Sequence, residues 1–226
     1  MIRRDFLLRQ IEQFVEVLMR MSGLTKAGKW EEASAEADSQ LKALAGADVT
    51  ELLRMSDTEL LARVVEGGTS FGIQDKIFMV ARLFKENGDI LRAQTRLEES
   101  HACYLKGLHL LLDAIANEPD APRADYVPTV EAFLIGLQDS SLNLETNAML
   151  MRHYEQICEY AKAEDALFNI LDAGPDNVEL LDFGIGFYER LLRLENETLE
   201  LGNLPRAEVK ASLAELNQRK SALTRL

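Results

Sequence analysis

Cysteine is scarce in this 226-residue chain: Cys103 and Cys158 are the only two, far apart and outside any CxxC pair. That pattern indicates neither a disulfide framework nor a metal knuckle, and both thiols read as small core residues. Histidine is limited to His101, His109 and His153, which leaves little material for acid–base or metal chemistry. Positive charge is short as well, with 25 Lys and Arg against 38 Asp and Glu. A net charge of −13 argues against nucleic acid, because phosphate binding needs a basic stripe. No uncharged apolar run approaches the roughly 20 residues that cross a bilayer. Asp5 and Glu12 interrupt the opening MIRRDFLLRQIEQF where a signal peptide would be apolar, so the expectation is a cytoplasmic protein.

What is abundant is Leu, Ala and Glu, in a chain 47% hydrophobic and 28% charged, with almost none of the Val/Ile/Thr alternation of strands. This favours an all-α fold. The acidity is uneven: residues 114–205 carry 5 Lys or Arg against 18 Asp or Glu, whereas residues 1–113 carry 15 against 18.

The densest pattern lies between residues 144 and 177. With Leu144 as position 1, Tyr154, Tyr160, Ala163, Leu167, Ile170 and Pro175 fall at positions 11, 17, 20, 24, 27 and 32. Tyr188 repeats Tyr154 after 34 residues. A small residue at Ala163 lets two antiparallel helices approach, the tyrosines fill the space beside that contact, and Pro175 stops the second helix. The spacing resembles the tetratricopeptide repeat. Gly28, Trp30, Ala33 and Ala37 resemble the turn and second helix of another copy, and Ile77, Val80, Ala81, Phe84, Gly88, Ala93 and Leu97 fit a third. Cys158 stands where the repeat has glycine, and the two earlier copies lack the terminal proline.

Along the rest of the chain, Leu7, Ile11, Phe14, Val15, Leu18 and Met21 form the apolar face of an opening helix over about residues 3–24. A second helix runs from about Lys29 to Leu44. Asp48 with Glu51, and Ser56 with Glu59, read as capping boxes of short helices. GGTSFG, Gly67 to Gly72, lacks the lysine and preceding strand of a phosphate loop and reads as a helix stop. Helices are expected over about Ile73–Asn87, Asp89–Asn117 and Thr129–Leu137, with a last one after Leu204 and Pro205 bearing Val209, Leu213, Leu216 and Leu223 as a stripe. Asn117 to Pro128 holds three of the five prolines and reads as a linker or loop. The expected layout is residues 1–117 as N-terminal hairpins, 118–128 as linker and 129–226 as repeats with a C-terminal helix, all within one continuous domain.

Chemistry is hard to assemble from these residues. Glu98, His101 and His109 sketch a metal site, but the two histidines lie two turns apart, beyond one ion's bonds of about 2 Å. His153 and Cys158 fall nearly 140° apart around a helix, so they cannot form a nucleophile pair. Gly184 and Gly186 each weaken a helix by roughly 1 kcal/mol relative to alanine, and either close helix packing or a ligand on bare backbone would account for them.

Arg3, Arg4, Asp5, Leu8, Arg9, Ile11 and Glu12, the Gly28–Ala33 segment GKWEEA, and LPRAEV at Leu204–Val209 together resemble a family of uncharacterised bacterial helical proteins. That resemblance spans nearly the whole chain and implies no activity. The tetratricopeptide resemblance implies a right-handed superhelical array of antiparallel hairpins. Its concave groove would be lined by Glu145, Ala148, Arg152, Glu155 and Gln156, then by Glu179, Asp182, Gly186, Glu189 and Arg190. Five carboxylates against two arginines would favour a basic or amphipathic protein or peptide. Equally, acidity keeps a protein soluble. The expectation is a non-enzymatic binding protein without cofactor or metal, whose partner site comprises Glu145, Arg152, Glu155, Glu179, Asp182 and Glu189. A homodimer joined through the Val209–Leu223 stripe is the alternative, and an enzyme with an unrecognised site a third.

Overall fold

The structure, a computed structural model, describes residues 2–66, 72–119 and 121–223, with side chains from residue 8 onward. Most of GGTSFG, the side chains of Arg3, Arg4, Asp5 and Leu7, and Leu223 aside, the three terminal residues lie outside the described residues. Among the described residues every regular element is an α-helix. The chain forms two compact units, Met1–Ser141 and Leu142–Leu226.

The first unit holds α1 (Ile2–Lys26), α2 (Trp30–Ala45), α3 (Val49–Arg54), α4 (Asp57–Glu66), α5 (Ile73–Ala93), α6 (Leu97–Asn117) and α7 (Val130–Leu137). The α5/α6 hairpin is its centre; α2 and α4 pack on α5, and α3 and α7 on α6. Ser56 and Glu59 form a reciprocal capping box at the start of α4: the Ser56 amide donates to the Glu59 carboxylate at 2.8 Å and the Glu59 amide to the Ser56 hydroxyl at 3.3 Å. Asp48 caps α3 by accepting from the Glu51 amide.

One sequence expectation fails here. The helix does not break at Gly88; α5 continues to Ala93. Glycine at this place makes room for a neighbour: a Cβ on Gly88 would stand 2.6 Å from the Tyr104 ring, and one on Gly136 would stand 2.5 Å from the ring's other edge. Tyr104, buried and donating its hydroxyl to Asp89 at 2.8 Å, is thus wedged between α5 and α7. The proline-containing stretch before α7 is held in the same unit, with Tyr126 buried edge-on against Phe14 and its carbonyl accepting from Arg82.

The second unit holds α8 (Leu144–Gln156), α9 (Tyr160–Asp172), α10 (Val178–Leu191), α11 (Asn196–Leu201) and α12 (Arg206–Leu223). Asn143 and Asn177 cap α8 and α10. α8 packs on α9 and α10 on α12. The short α11 was not foreseen. It lies where the 34-residue frame would place the turn of the next copy.

A single turn recurs in both units. Gly28, Thr95, Cys158 and Asn203 adopt left-handed backbone with φ of 71°, 61°, 61° and 57°. Each following amide donates five residues back, Lys29 to Leu24, Arg96 to Leu91, Glu159 to Tyr154 and Leu204 to Leu199, at 2.9–3.0 Å. This is the Schellman closure of a helix end. Five residues after the first three turns stand Ala33, Ser100 and Ala163, all fully buried where the second helix meets the first.

Candidate functional site

The second unit carries a groove of about 440 Å³ between α8 and α10. On α8, Glu145, Ala148, Met149, Arg152 and Glu155 line it at helical spacing, joined by Met151. Phe183 and Arg190 of α10 complete it. Arg190 donates from Nε and Nη2 to the two oxygens of Glu155, both at 2.8 Å, a fork that ties the C-terminal ends of the two helices. That hydrogen bonding also holds the guanidinium's proton more firmly than usual. Phe183 keeps 42% of its surface exposed, an unusual state for so large an apolar side chain.

Beneath the groove the helices are fixed by a buried polar contact. Glu164 of α9 accepts from the Tyr188 hydroxyl of α10 at 2.7 Å and from Ser212 of α12 at 3.2 Å. Burial pushes the Glu164 carboxyl up, against the pull of these two donors.

The two mid-helix glycines of α10 have different causes. A Cβ on Gly184 would meet Leu216 Cδ1 at 2.8 Å and Leu167 Cδ1 at 3.3 Å, so this position serves close packing. Gly186 faces open space, with only Arg190 Nη1 at 3.7 Å. It lies between Phe183 and Arg190 on the same helix face.

Of the six residues expected at a partner site, the groove brings together Glu145, Arg152 and Glu155. Glu179, Asp182 and Glu189 are exposed on α10 but outside its lining. Asp182 is taken up by Lys220 of α12 at 2.5 Å, as Glu155 is by Arg190. The acidity of this face is therefore smaller than the residue count suggests. Met149 and Phe183, the apolar lining, were missed, although they stand 34 residues apart at one repeat position; apolar residues there read as core.

The stripe of the homodimer alternative is occupied within the chain. Val209 and Leu216 are buried, and Leu216 lies against Gly184 of α10.

Sites of other chemistry resolve into structure. His109 Nδ1 meets Asp57 Oδ2 at 2.5 Å, while Lys106 donates to Asp57 Oδ1 at 2.5 Å and to the Met55 carbonyl at 2.7 Å. Burial raises the Asp57 carboxyl, but the Lys106 and His109 hydrogen bonds outweigh it and leave it below the usual value. Glu98 is exposed and His109 is engaged with Asp57, so the sketched metal site does not assemble; among the described residues no three His, Cys, Asp or Glu side chains form a cluster able to hold a metal ion. Burial pushes the Cys103 thiol up to about 12, whereas Cys158 sits exposed in its turn. No helix among the described residues is long and apolar enough to cross a membrane.

The sequence pattern of one protein family, described as a family of unknown function (DUF6483), matches residues 1–221. No curated protein and no solved structure matches the chain.

Proposed function

Since the chain belongs to this family of unknown function, we propose that it is a non-enzymatic helical-repeat protein that binds a protein or peptide partner through the face shared by α8 and α10. The observation that carries this reading is the groove itself: an open, apolar channel floored by methionine and phenylalanine and edged by charged side chains. Methionine is unbranched and polarizable, so such a floor adapts to varied apolar side chains. Peptide-binding grooves of this kind take the apolar face of an incoming segment and use rim charges to select it.

The repeat character supports the same reading. The left-handed turn closed five residues back, and the buried small residue that follows it, recur at three hairpins, and the 34-residue spacing of Met149 and Phe183 is what stacked tetratricopeptide-like hairpins would produce. On this reading the hairpins form a right-handed superhelical array whose first helices present the groove.

The test is a selection from a random peptide library on the immobilised protein, counter-screened on Phe183→Asp. Phe183 is partly exposed, so the variant keeps its fold, which circular dichroism checks. Enriched peptides that bind the wild type and lose at least tenfold in affinity on the variant support the reading. A library with no enrichment, or enriched peptides indifferent to Phe183→Asp, refutes it.

A further inference from the structure

Resting on that reading, we infer that the groove's occupant is an amphipathic helical segment with a large apolar side chain at its centre and two opposite charges about two turns apart. The argument comes from which charges in the groove are already engaged. Glu155 has both oxygens on Arg190, so neither member of that pair is free to select a ligand. Glu145 and Arg152 are exposed and are joined by no ion pair or side-chain hydrogen bond to another described residue. They stand seven residues apart on α8, which is about 10.5 Å along the helix axis. Ala148, Met149 and Phe183 lie in the lining between them. The groove therefore presents an anion, an apolar floor and a cation in that order.

A partner helix answers this arrangement with a cation over Glu145, an apolar anchor on Met149 and Phe183, and an anion over Arg152. Gly186, bare on the same face of α10 as Phe183, leaves space for the anchor. A uniformly basic segment, which a count of carboxylates on this face would suggest, would set one of its charges against Arg152.

Three synthetic helical peptides of one leucine core test this by fluorescence anisotropy. They carry Lys and Glu, two Lys, or two Glu at positions seven apart. Wild-type protein is expected to bind the Lys/Glu peptide about threefold more tightly than either of the others, the scale of one exposed ion pair. Arg152→Glu should switch the preference to the two-Lys peptide, and Glu145→Lys to the two-Glu peptide. Both preferences should fade at 0.5 M salt.

Binding without charge preference, or preferences that ignore the two swaps, overturns the inference while leaving the groove reading in place, provided Phe183→Asp still abolishes binding. Tightest wild-type binding to the two-Lys peptide overturns it in favour of a basic ligand. Failure of all three peptides also overturns it, and the library selection then decides separately whether the groove binds peptides at all.

Discussion

Gly136 in α7 and Gly186 in α10 are both glycines inside helices, and helix propensity alone predicts that alanine would stabilise each by about 1 kcal/mol. Their surroundings separate them. A Cβ on Gly136 would stand 2.5 Å from Tyr104 Cε2 and 2.6 Å from Cζ. The ring cannot retreat, because Gly88 presses its opposite edge and its hydroxyl is bonded to Asp89. Overpacking of a filled core costs about 1–3 kcal/mol, and a ring held on both sides belongs in the upper half of that range. Net of propensity, Gly136→Ala should lose about 1–2 kcal/mol. A Cβ on Gly186 meets only the tip of Arg190 at 3.7 Å, so Gly186→Ala should gain about 0.5–1 kcal/mol. Urea unfolding measures both, with Trp30 fluorescence reporting the first unit and hydrogen exchange of α10 amides the second. At slopes of about 1–3 kcal/mol per molar, midpoints should move by roughly half a molar in opposite directions. Equal shifts of one sign would refute the reasoning, and a destabilised Gly186→Ala would show that open space above α10 is not real.

Thr95 and Cys158 hold left-handed backbone that costs an L-residue about 1–2 kcal/mol, so Thr95→Gly and Cys158→Gly should each raise the thermal midpoint; the Thr95 gain should be the larger because its side chain is branched at Cβ. Asp57 has a carboxyl held below its unfolded value of 3.8, so its contribution is present above that value and is lost as pH falls through the folded one; acid titration of Asp57→Asn should be flatter than wild type below about pH 4, and an unchanged acid limb would dismiss the ion cluster as a contributor. Glu164 has the opposite sign, being raised from 4.5: its contribution is present below that value and is lost as pH rises through the folded one, so Glu164→Gln should remove that decline from the second unit. Thiol titration of the native protein should find one fast thiol, Cys158, with Cys103 reacting only on unfolding.

The elements most legible in the sequence were those written by local chemistry. Capping boxes at Asp48 and Ser56 act over three residues, and the turn at Gly28 needs a residue that tolerates positive φ, so composition alone marked them. Thr95 carries no such mark. Its left-handed conformation is imposed by the α5/α6 packing around Tyr104, and the sequence reading therefore broke the helix at Gly88, a glycine whose purpose is tertiary. At the candidate site, repeat spacing picked out Glu145, Arg152, Glu155 and Arg190, because helical periodicity fixes which side chains share a face. It could not show that Glu155 and Asp182 are neutralised by Arg190 and Lys220, which depends on packing between helices distant in sequence. Nor could it separate Gly184 from Gly186, since only the position of Leu216 on α12 distinguishes a packing glycine from an open one.

The central claim is that a partner lies on the groove between α8 and α10, and methionine methyl resonances read this directly. Seven methionines are spread along the chain, and only Met149 and Met151 line the groove. With ¹³C-methyl methionine and a library-selected peptide as titrant, the account predicts saturable shifts of the Met149 and Met151 signals while Met19, Met21, Met55 and Met79 stay in place. Shifts confined to those four, with Met149 and Met151 unmoved at saturation, would contradict it.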